Sequence, residues 1–92
     1  MVDVPLSWRI VLSKQAQKDA LKLSAAGLKS KTENLLEIIA TNPYQNPPPY
    51  EKLTGDLSGY YSRRINIQHR LVYQVFEAQK VVKVLRMWSH YD

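Results

Sequence analysis

Residues 60–88 read YYSRRINIQHRLVYQVFEAQKVVKVLRMW, a stretch rich in β-branched and aromatic side chains. Residues of these types favour the half-buried, pleated surface of a β-strand. The stretch predicts strands over residues 60–67, 70–76 and 80–88, with short connections of hairpin length between them. The second half of the chain is therefore predicted to form an antiparallel sheet.

The first half of the chain predicts one strand and two helices. Apolar and polar residues alternate over residues 8–13, which favours a strand. Apolar residues then follow helical spacing over 14–26 and 28–40, with Ser13 placed as an N-cap and Gly27 as a C-cap. Helices and strands in separate blocks indicate an α+β fold. We expect a two-helix hairpin packed on one face of a twisted antiparallel sheet of about four to five strands, which includes the N-terminal strand.

Length and composition bound the classes of protein to consider. The chain has 92 residues and a mass of 10.7 kDa, which predicts a single domain over residues 1–92. Cysteine is absent, which excludes a disulfide scaffold, a thiol nucleophile, a zinc finger and an iron–sulfur site. Two histidines without cysteine make a poor ligand set for a metal, so no metal is predicted. No GxGxxG or Walker A motif is present, and no cofactor is predicted.

The lack of a predicted membrane span or secretory signal, together with the positive net charge, predicts a cytoplasmic protein that binds a polyanion. No stretch approaches the ~20 apolar residues that cross a bilayer, and the N-terminus lacks the apolar run of a secretory signal. Thirteen Lys and Arg oppose eight Asp and Glu, which gives a net charge of +5. A small basic domain of this kind favours nucleic acid as a partner.

The predicted sheet interleaves cations with aromatic residues. Such a pattern is typical of a surface that holds phosphates and stacks on bases. A solvated sheet face with ordinary cross-strand pairs would show the same composition. The candidate RNA-binding residues are Lys52, Tyr60, Tyr61, Arg63, Arg64, Arg70 and Arg86.

Two further residues could transfer protons. Glu51 follows a proline-rich connector and precedes the arginines, so its carboxylate could act as a base, although a surface ion pair is the simpler interpretation. His90 could donate a proton to a leaving group, or it could be an ordinary residue of an exposed chain end. His69 stands at a predicted turn and is interpreted as a surface residue.

Three segments together carry a resemblance to a known family. Residues 51–65 read EKLTGDLSGYYSRRI, residues 69–73 read HRLVY, and residues 90–91 read HY. In this order and spacing the chain resembles the Txe/YoeB family of toxins from bacterial type II toxin–antitoxin systems, within the RelE/ParE superfamily. It departs from the family pattern at residues 60–61, where two tyrosines replace the more frequent Phe-Trp, and at Asp92, which follows the terminal His-Tyr pair.

The resemblance implies a RelE-like fold and a ribosome-dependent endoribonuclease that cleaves mRNA in the ribosomal A site. The family's catalytic glutamate matches Glu51, its phosphate-binding arginines match Arg64 and Arg70, and its terminal pair matches His90 and Tyr91. No metal or other cofactor is implied. The implied partners are the 70S ribosome with mRNA and a cognate YefM/Phd-like antitoxin with an acidic segment. The resemblance also allows a homodimer in a bacterial cytoplasm.

Two alternatives keep the same fold and dispense with the nuclease chemistry. The first is a ParE-like toxin directed at DNA gyrase, which would need neither Glu51 nor His90. The second is a non-catalytic RNA-binding module in which the arginines only hold phosphates. Binding of that kind would be salt-sensitive and would survive the loss of His90.

Overall fold

The computed structural model describes residues 8–88, which form two helices and five strands. In chain order these are β1 (Arg9–Leu12), α1 (Lys14–Ala25), α2 (Lys29–Thr41), β2 (Glu51–Lys52), β3 (Tyr60–Arg64), β4 (Arg70–Phe76) and β5 (Val81–Arg86). A short 3₁₀ turn, Gly55–Leu57, precedes β3. The predicted α+β fold is confirmed, as is the strand–helix–helix–strands order.

The five strands form one mixed sheet in the order β1-β5-β4-β3-β2. Strands β2 to β5 pair antiparallel, which was predicted for β3, β4 and β5, whereas β1 pairs in parallel with β5. The alternation of residues in a strand does not encode the direction of a partner about 70 residues away, so the sequence could not reveal this pairing. Strand β2 was not predicted either, because its two residues are too few to show alternation.

The helical hairpin begins and ends where the capping residues stand. The Ser13 hydroxyl accepts a hydrogen bond from the Ala16 amide at 3.0 Å, which satisfies one of the free donors of the first turn of α1. At the other end the Leu28 amide donates to the Leu23 carbonyl at 2.8 Å, as in a Schellman motif. Gly27 lies between them at φ +79°, a left-handed conformation that glycine adopts without strain. Both predicted caps are confirmed.

The helices cover one face of the sheet and leave the other face open. Buried side chains from the helices, such as Leu23 and Ile39, pack with alternate residues of the central strands, such as Leu71 and Val82. Because neighbours along a strand point to opposite faces, the intervening residues lie on the open face. By their register, these include Tyr60, Ser62, Arg64 and Arg70. Arg86 joins them because an irregularity in the β4–β5 register pairs it with Val72, although Val82 and Val84 of the same strand are buried.

Residues 8–88 share this one sheet and one core. The prediction of a single domain over residues 1–92 includes residues outside this range and stays a prediction. Neither helix in the described part of the chain is long and apolar enough to cross a membrane.

Candidate active site

The open face of β2, β3 and β4 brings together residues that are distant in sequence. Glu51 pairs with Ser62 across β2 and β3, and Arg64 pairs with Arg70 across β3 and β4. Directly paired residues project from the same face of a sheet. The hairpin register thus places the predicted carboxylate and two predicted phosphate-binding arginines side by side.

Glu51 and Arg70 form an ion pair on this face. Nη1 of Arg70 donates to Oε1 of Glu51 at 2.8 Å and to the Ser62 hydroxyl at 3.3 Å. The side chains are 65% exposed for Glu51 and 30% exposed for Arg70. Exposed ion pairs contribute only about 0–1 kcal/mol to stability. The pair therefore does little for the fold, and its accessible carboxylate and guanidinium remain within reach of a ligand.

A small open pocket of about 140 Å³ lies beside the ion pair. Its volume is well above the roughly 10–15 Å³ that a cavity needs by this measure to hold one water molecule, so it has room for a phosphate group. Arg64 and Arg70 both line it, and two like charges directly opposite each other in a sheet repel. An anion held between them would relieve this repulsion. The lining residues are Pro49, Tyr50, Glu51, Ser62, Arg64 and Arg70.

Tyr50 and Ser62 belong to this pocket, although the sequence did not single them out. Ser62 is 3% exposed and pairs with Glu51, which no local pattern reveals. Tyr50 directly precedes Glu51, and its position next to the candidate base was the one available signal. The structure thus adds an aromatic ring and a hydroxyl to the predicted set.

Arg63 has a different role from the one predicted. It is 1% exposed, and its guanidinium donates to the carbonyls of Pro43, Gln45 and Pro48 and to the Tyr73 hydroxyl, at 2.7–3.1 Å. These bonds tie the proline-rich connector to β3. The prediction that Arg63 binds RNA is corrected, because a buried guanidinium with these partners cannot reach a phosphate.

Tyr61 also lies away from Arg64 and Arg70. It pairs with Tyr73 on the helix-covered face, and the two rings stack with centroids 5.6 Å apart. Tyr44 and Tyr50 contact Tyr61 edge-on at 5.6 and 5.8 Å, so these four tyrosines form one cluster. The prediction that Tyr61 stacks on RNA bases is corrected: its ring packs against the core.

The other three candidate RNA-binding residues differ in position. Tyr60 and Arg86 belong to the open face, since they pair with Gln74 and Val72 there. Lys52 is exposed on β2, the edge strand, but it pairs with Tyr61 and so projects toward the other face. Tyr60 and Arg86 can therefore extend the surface that Arg64 and Arg70 form, whereas Lys52 lies at the margin of that surface.

The predicted C-terminal pair, His90 and Tyr91, lies outside the described residues, so its place at the pocket stays a prediction. The described chain ends at Trp88, two residues before His90. Trp88 stacks on His69, with ring centroids 3.8 Å apart and planes tilted by 23°. His69 is buried, which corrects its interpretation as a surface residue.

The tyrosine cluster has a consequence for stability at high pH. Tyr73 is fully buried, and its hydroxyl donates to the Pro43 carbonyl at 2.7 Å while accepting from Nε of Arg63 at 3.1 Å. Desolvation by burial raises the pKa of Tyr73 above its usual value of 10.0, and the nearby Arg63 offsets only part of this. The folded protein therefore holds this proton more tightly than the unfolded chain does.

We expect stability to fall as the pH rises above about 10, the usual pKa of tyrosine. A raised pKa contributes stability in full below the unfolded value, and this contribution is lost at higher pH. The check is the urea midpoint between about pH 8 and pH 11, for the natural chain and for Tyr73→Phe. The variant should be less stable at pH 8 but should lose less on going to pH 11. Equal losses in both proteins would contradict the expectation.

Comparison with known proteins agrees with this fold. A family model described as the YoeB-like toxin of bacterial type II toxin–antitoxin systems matches residues 13–91. A toxin YoeB from Streptomyces coelicolor is 48% identical over 48 residues, and one from Synechocystis is 40% identical over 58 residues. These matches cover 52% and 63% of this chain and 57% and 65% of those proteins, so the chain spans less than two thirds of the curated relatives' length.

Solved structures extend the similarity to nearly the whole chain. The YoeB–YefM heterotetramer from Staphylococcus aureus contains a chain that is 36% identical, with a TM-score of 0.78 over 91% of this chain and 98% of that one. A YoeB/ParE toxin from Agrobacterium tumefaciens is 28% identical, with a TM-score of 0.81 over 90% of this chain and 99% of that one. The resemblance found in the sequence is thereby confirmed. The chain belongs to the YoeB-like family of toxins of bacterial type II toxin–antitoxin systems.

Proposed function

We propose that this protein is a ribosome-dependent endoribonuclease that cleaves mRNA in the ribosomal A site and so stops translation. The observation that carries the proposal is the exposed Glu51 carboxylate, held at 2.8 Å by Arg70 beside a pocket that Arg64 also lines. This arrangement offers a proton acceptor and two cations around a space for one phosphate group. Cleavage of an RNA backbone by its own 2′-hydroxyl uses both, the acceptor for the 2′ proton and the cations for the phosphate charge.

The nucleophile is the 2′-hydroxyl of the RNA itself. Glu51 acts as the general base and removes the 2′ proton, while the 2′ oxygen attacks the adjacent phosphorus. A positioned base of this kind contributes roughly 10²–10⁴ to the rate. The contact with Arg70 orients the carboxylate and leaves its second oxygen, Oε2, for the substrate.

Arg64 and Arg70 stabilise the transition state. Negative charge develops on the non-bridging oxygens as the phosphorus becomes pentacovalent, and guanidinium groups donate to such oxygens in a fixed geometry. The two arginines lie opposite each other across β3 and β4, so they can hold one phosphate from two sides. Tyr60 and Arg86 on the same face, and Lys52 at its margin, are proposed to contact the flanking nucleotides.

His90 completes the reaction as the general acid. It donates a proton to the 5′ oxygen as the P–O5′ bond breaks, and Tyr91 stacks on a base or orients the imidazole. The products are a 2′,3′-cyclic phosphate, or the 3′-phosphate that its hydrolysis gives, and a 5′-hydroxyl. The ribosome extends the mRNA and fixes the 2′-hydroxyl in line with the leaving group, which supplies orientation that a small enzyme lacks.

The proposed protein partner is an antitoxin with an acidic segment. The Staphylococcus aureus relative was solved as a YoeB–YefM toxin–antitoxin complex and also as a YoeB dimer. A net charge of +5 and an open face carrying arginines favour an acidic partner here as well. We also propose a homodimer and a cytoplasmic location, which is where the ribosomes are.

The test is to map cleavage of a defined mRNA on programmed ribosomes, beside a His90→Ala control, and to identify the end groups of the two products. The protein must first be freed of any antitoxin and shown to be folded by a thermal melt. We expect a cut in the A-site codon that leaves a 5′-hydroxyl and that is at least tenfold slower with His90→Ala. A cut that leaves a 5′-phosphate would contradict the proposed chemistry.

A folded protein that does not cut would favour the alternatives. Inhibition of DNA gyrase would then indicate the ParE-like toxin. Salt-sensitive RNA binding that survives His90→Ala would indicate the non-catalytic module.

A further inference from the structure

Helix α1 is hydrogen-bonded to the end of β5 and to the chain that directly follows it. The Ser13 amide and hydroxyl, at the start of the helix, donate to the carbonyls of Val84 and Leu85 at 3.0 and 2.7 Å. One turn and a half later, the Met87 amide donates to Oδ2 of Asp19 at 2.9 Å. Helix α1 is thus hydrogen-bonded both to β5 and to the residue that follows Arg86, where the strand ends.

Asp19 is an unusual residue for its position. It is 0% exposed and lies on the buried side of α1, between Ala16 and Leu23. Aspartate is a poor helix former, and burying its carboxylate is costly unless hydrogen bonds compensate. Its two oxygens accept from Gln15 Nε2 and from the Met87 amide, both at 2.9 Å. An apolar residue at this position would pack in the core without burying a carboxylate. The hydrogen bond to the Met87 amide is therefore what the aspartate adds to the structure.

Trp88, the residue after Met87, also makes contacts that fix its position. The Trp88 ring stacks on His69 at 3.8 Å, and Nζ of Lys22 lies 5.8 Å from the centre of a Trp88 ring. His69 comes directly before Arg70, which lines the candidate pocket. His90 follows Trp88 by two residues, a reach of at most about 7 Å along the chain. The positions of Met87 and Trp88 therefore limit where His90 can go.

We propose that Asp19 is a positioning residue for cleavage: by accepting from the Met87 amide, it fixes the backbone that delivers His90 to the scissile phosphate. This proposal rests on the proposed function, in which His90 is the general acid. Asp19 itself touches neither substrate nor reacting atoms. Its carboxylate acts through the Met87 amide and the chain that follows.

The test compares Asp19→Ala with Asp19→Asn in single-turnover cleavage on programmed ribosomes. Asparagine keeps an oxygen for the Met87 amide, and the Gln15 amide can turn to accept from its nitrogen, so this variant should cut at close to the natural rate. Asp19→Ala should cut at least about tenfold more slowly at saturating ribosomes, since misplacement by 1 Å can cost about 10²-fold. The ribosome concentration at half-maximal rate should not change. Gln15→Ala, which leaves the bond to Met87, is the matched control.

A double variant separates positioning from general loss of structure. If Asp19 acts through His90, Asp19→Ala should slow the His90→Ala protein no further, because the effects of residues that act as a unit are not additive. Amide hydrogen exchange should be faster at Met87 in Asp19→Ala than in Asp19→Asn. An additional loss of rate in the double variant, or equally slow exchange at Met87 in both variants, would overturn the proposal.

The outcomes also distinguish the two proposals from each other. A natural protein that cuts and loses activity with His90→Ala, while Asp19→Ala cuts at the natural rate, overturns only the role of Asp19. A natural protein that does not cut overturns the proposed function, and the role of Asp19 falls with it.

Discussion

Replacing Arg70 by alanine is expected to slow A-site cleavage by at least about a hundredfold. Removing one donor that stabilises a developing oxyanion typically costs about 10²–10³ in rate. Arg70 also holds Glu51 at 2.8 Å, so alanine releases the proposed base as well. The measurement is the single-turnover rate on programmed ribosomes at saturating protein. The fold should be preserved, because exposed ion pairs of this kind contribute only about 0–1 kcal/mol.

The matched control is Arg9→Ala. Arg9 is an exposed arginine on a strand, and Arg70 is a half-buried one, but β1 lies at the opposite edge of the sheet from β2. Both substitutions remove one positive charge, so they should weaken non-specific attraction to RNA to a similar extent. Arg70→Lys adds a second comparison, since lysine keeps the charge and loses the planar, two-pronged geometry. Equal rates for Arg9→Ala and Arg70→Ala would contradict the role of Arg70.

Replacing Arg63 by methionine is expected to lower the free energy of unfolding by about 3 kcal/mol or more. Each buried polar group that loses its partner costs about 1–3 kcal/mol. Arg63 supplies donors to three connector carbonyls and to Tyr73, and it packs 4.9 Å from the Tyr50 ring centre. Methionine retains part of the volume and provides no donor. Urea unfolding followed by circular dichroism measures the change.

Arg64→Met is the matched control, at the next position of the same strand. Its side chain is exposed on the open face, so its stability should stay within about 0.5 kcal/mol of the natural protein. Its cleavage rate should nevertheless fall, because Arg64 lines the proposed phosphate pocket. If the two variants lost similar stability, the distinction between a structural and a functional arginine would be wrong.

This pair of arginines shows where sequence reasoning stops. The alternation of a strand indicates that Arg63 and Arg64 face opposite sides, and the periodicity of the chain places β3 correctly to within a few residues. The periodicity does not reveal that the connector over residues 43–48 packs over β3. Nor does it reveal that the carbonyls of this connector accept hydrogen bonds from the buried guanidinium of Arg63. Charged side chains are seldom buried without such partners, so exposure was the natural expectation for both.

The same limit applies to the site as a whole. Glu51, Arg64 and Arg70 could be named from the resemblance, and the observed register places them side by side. Asp19 was not predicted as a functional residue, because its partner is a backbone amide 68 residues away. His69 was interpreted as a surface residue at a turn, whereas its ring stacks on Trp88. Contacts that depend on distant partners have no local signature in a sequence.

The most direct measurement of the central claim uses an mRNA with a single 2′-deoxynucleotide at the cleaved position of the A-site codon. If the open face of the sheet activates the 2′-hydroxyl, this substitution removes the nucleophile. The natural protein should cut the all-ribose mRNA and leave a 5′-hydroxyl, and it should not cut the substituted mRNA at that position. Cleavage of both mRNAs at the same phosphate would contradict the account.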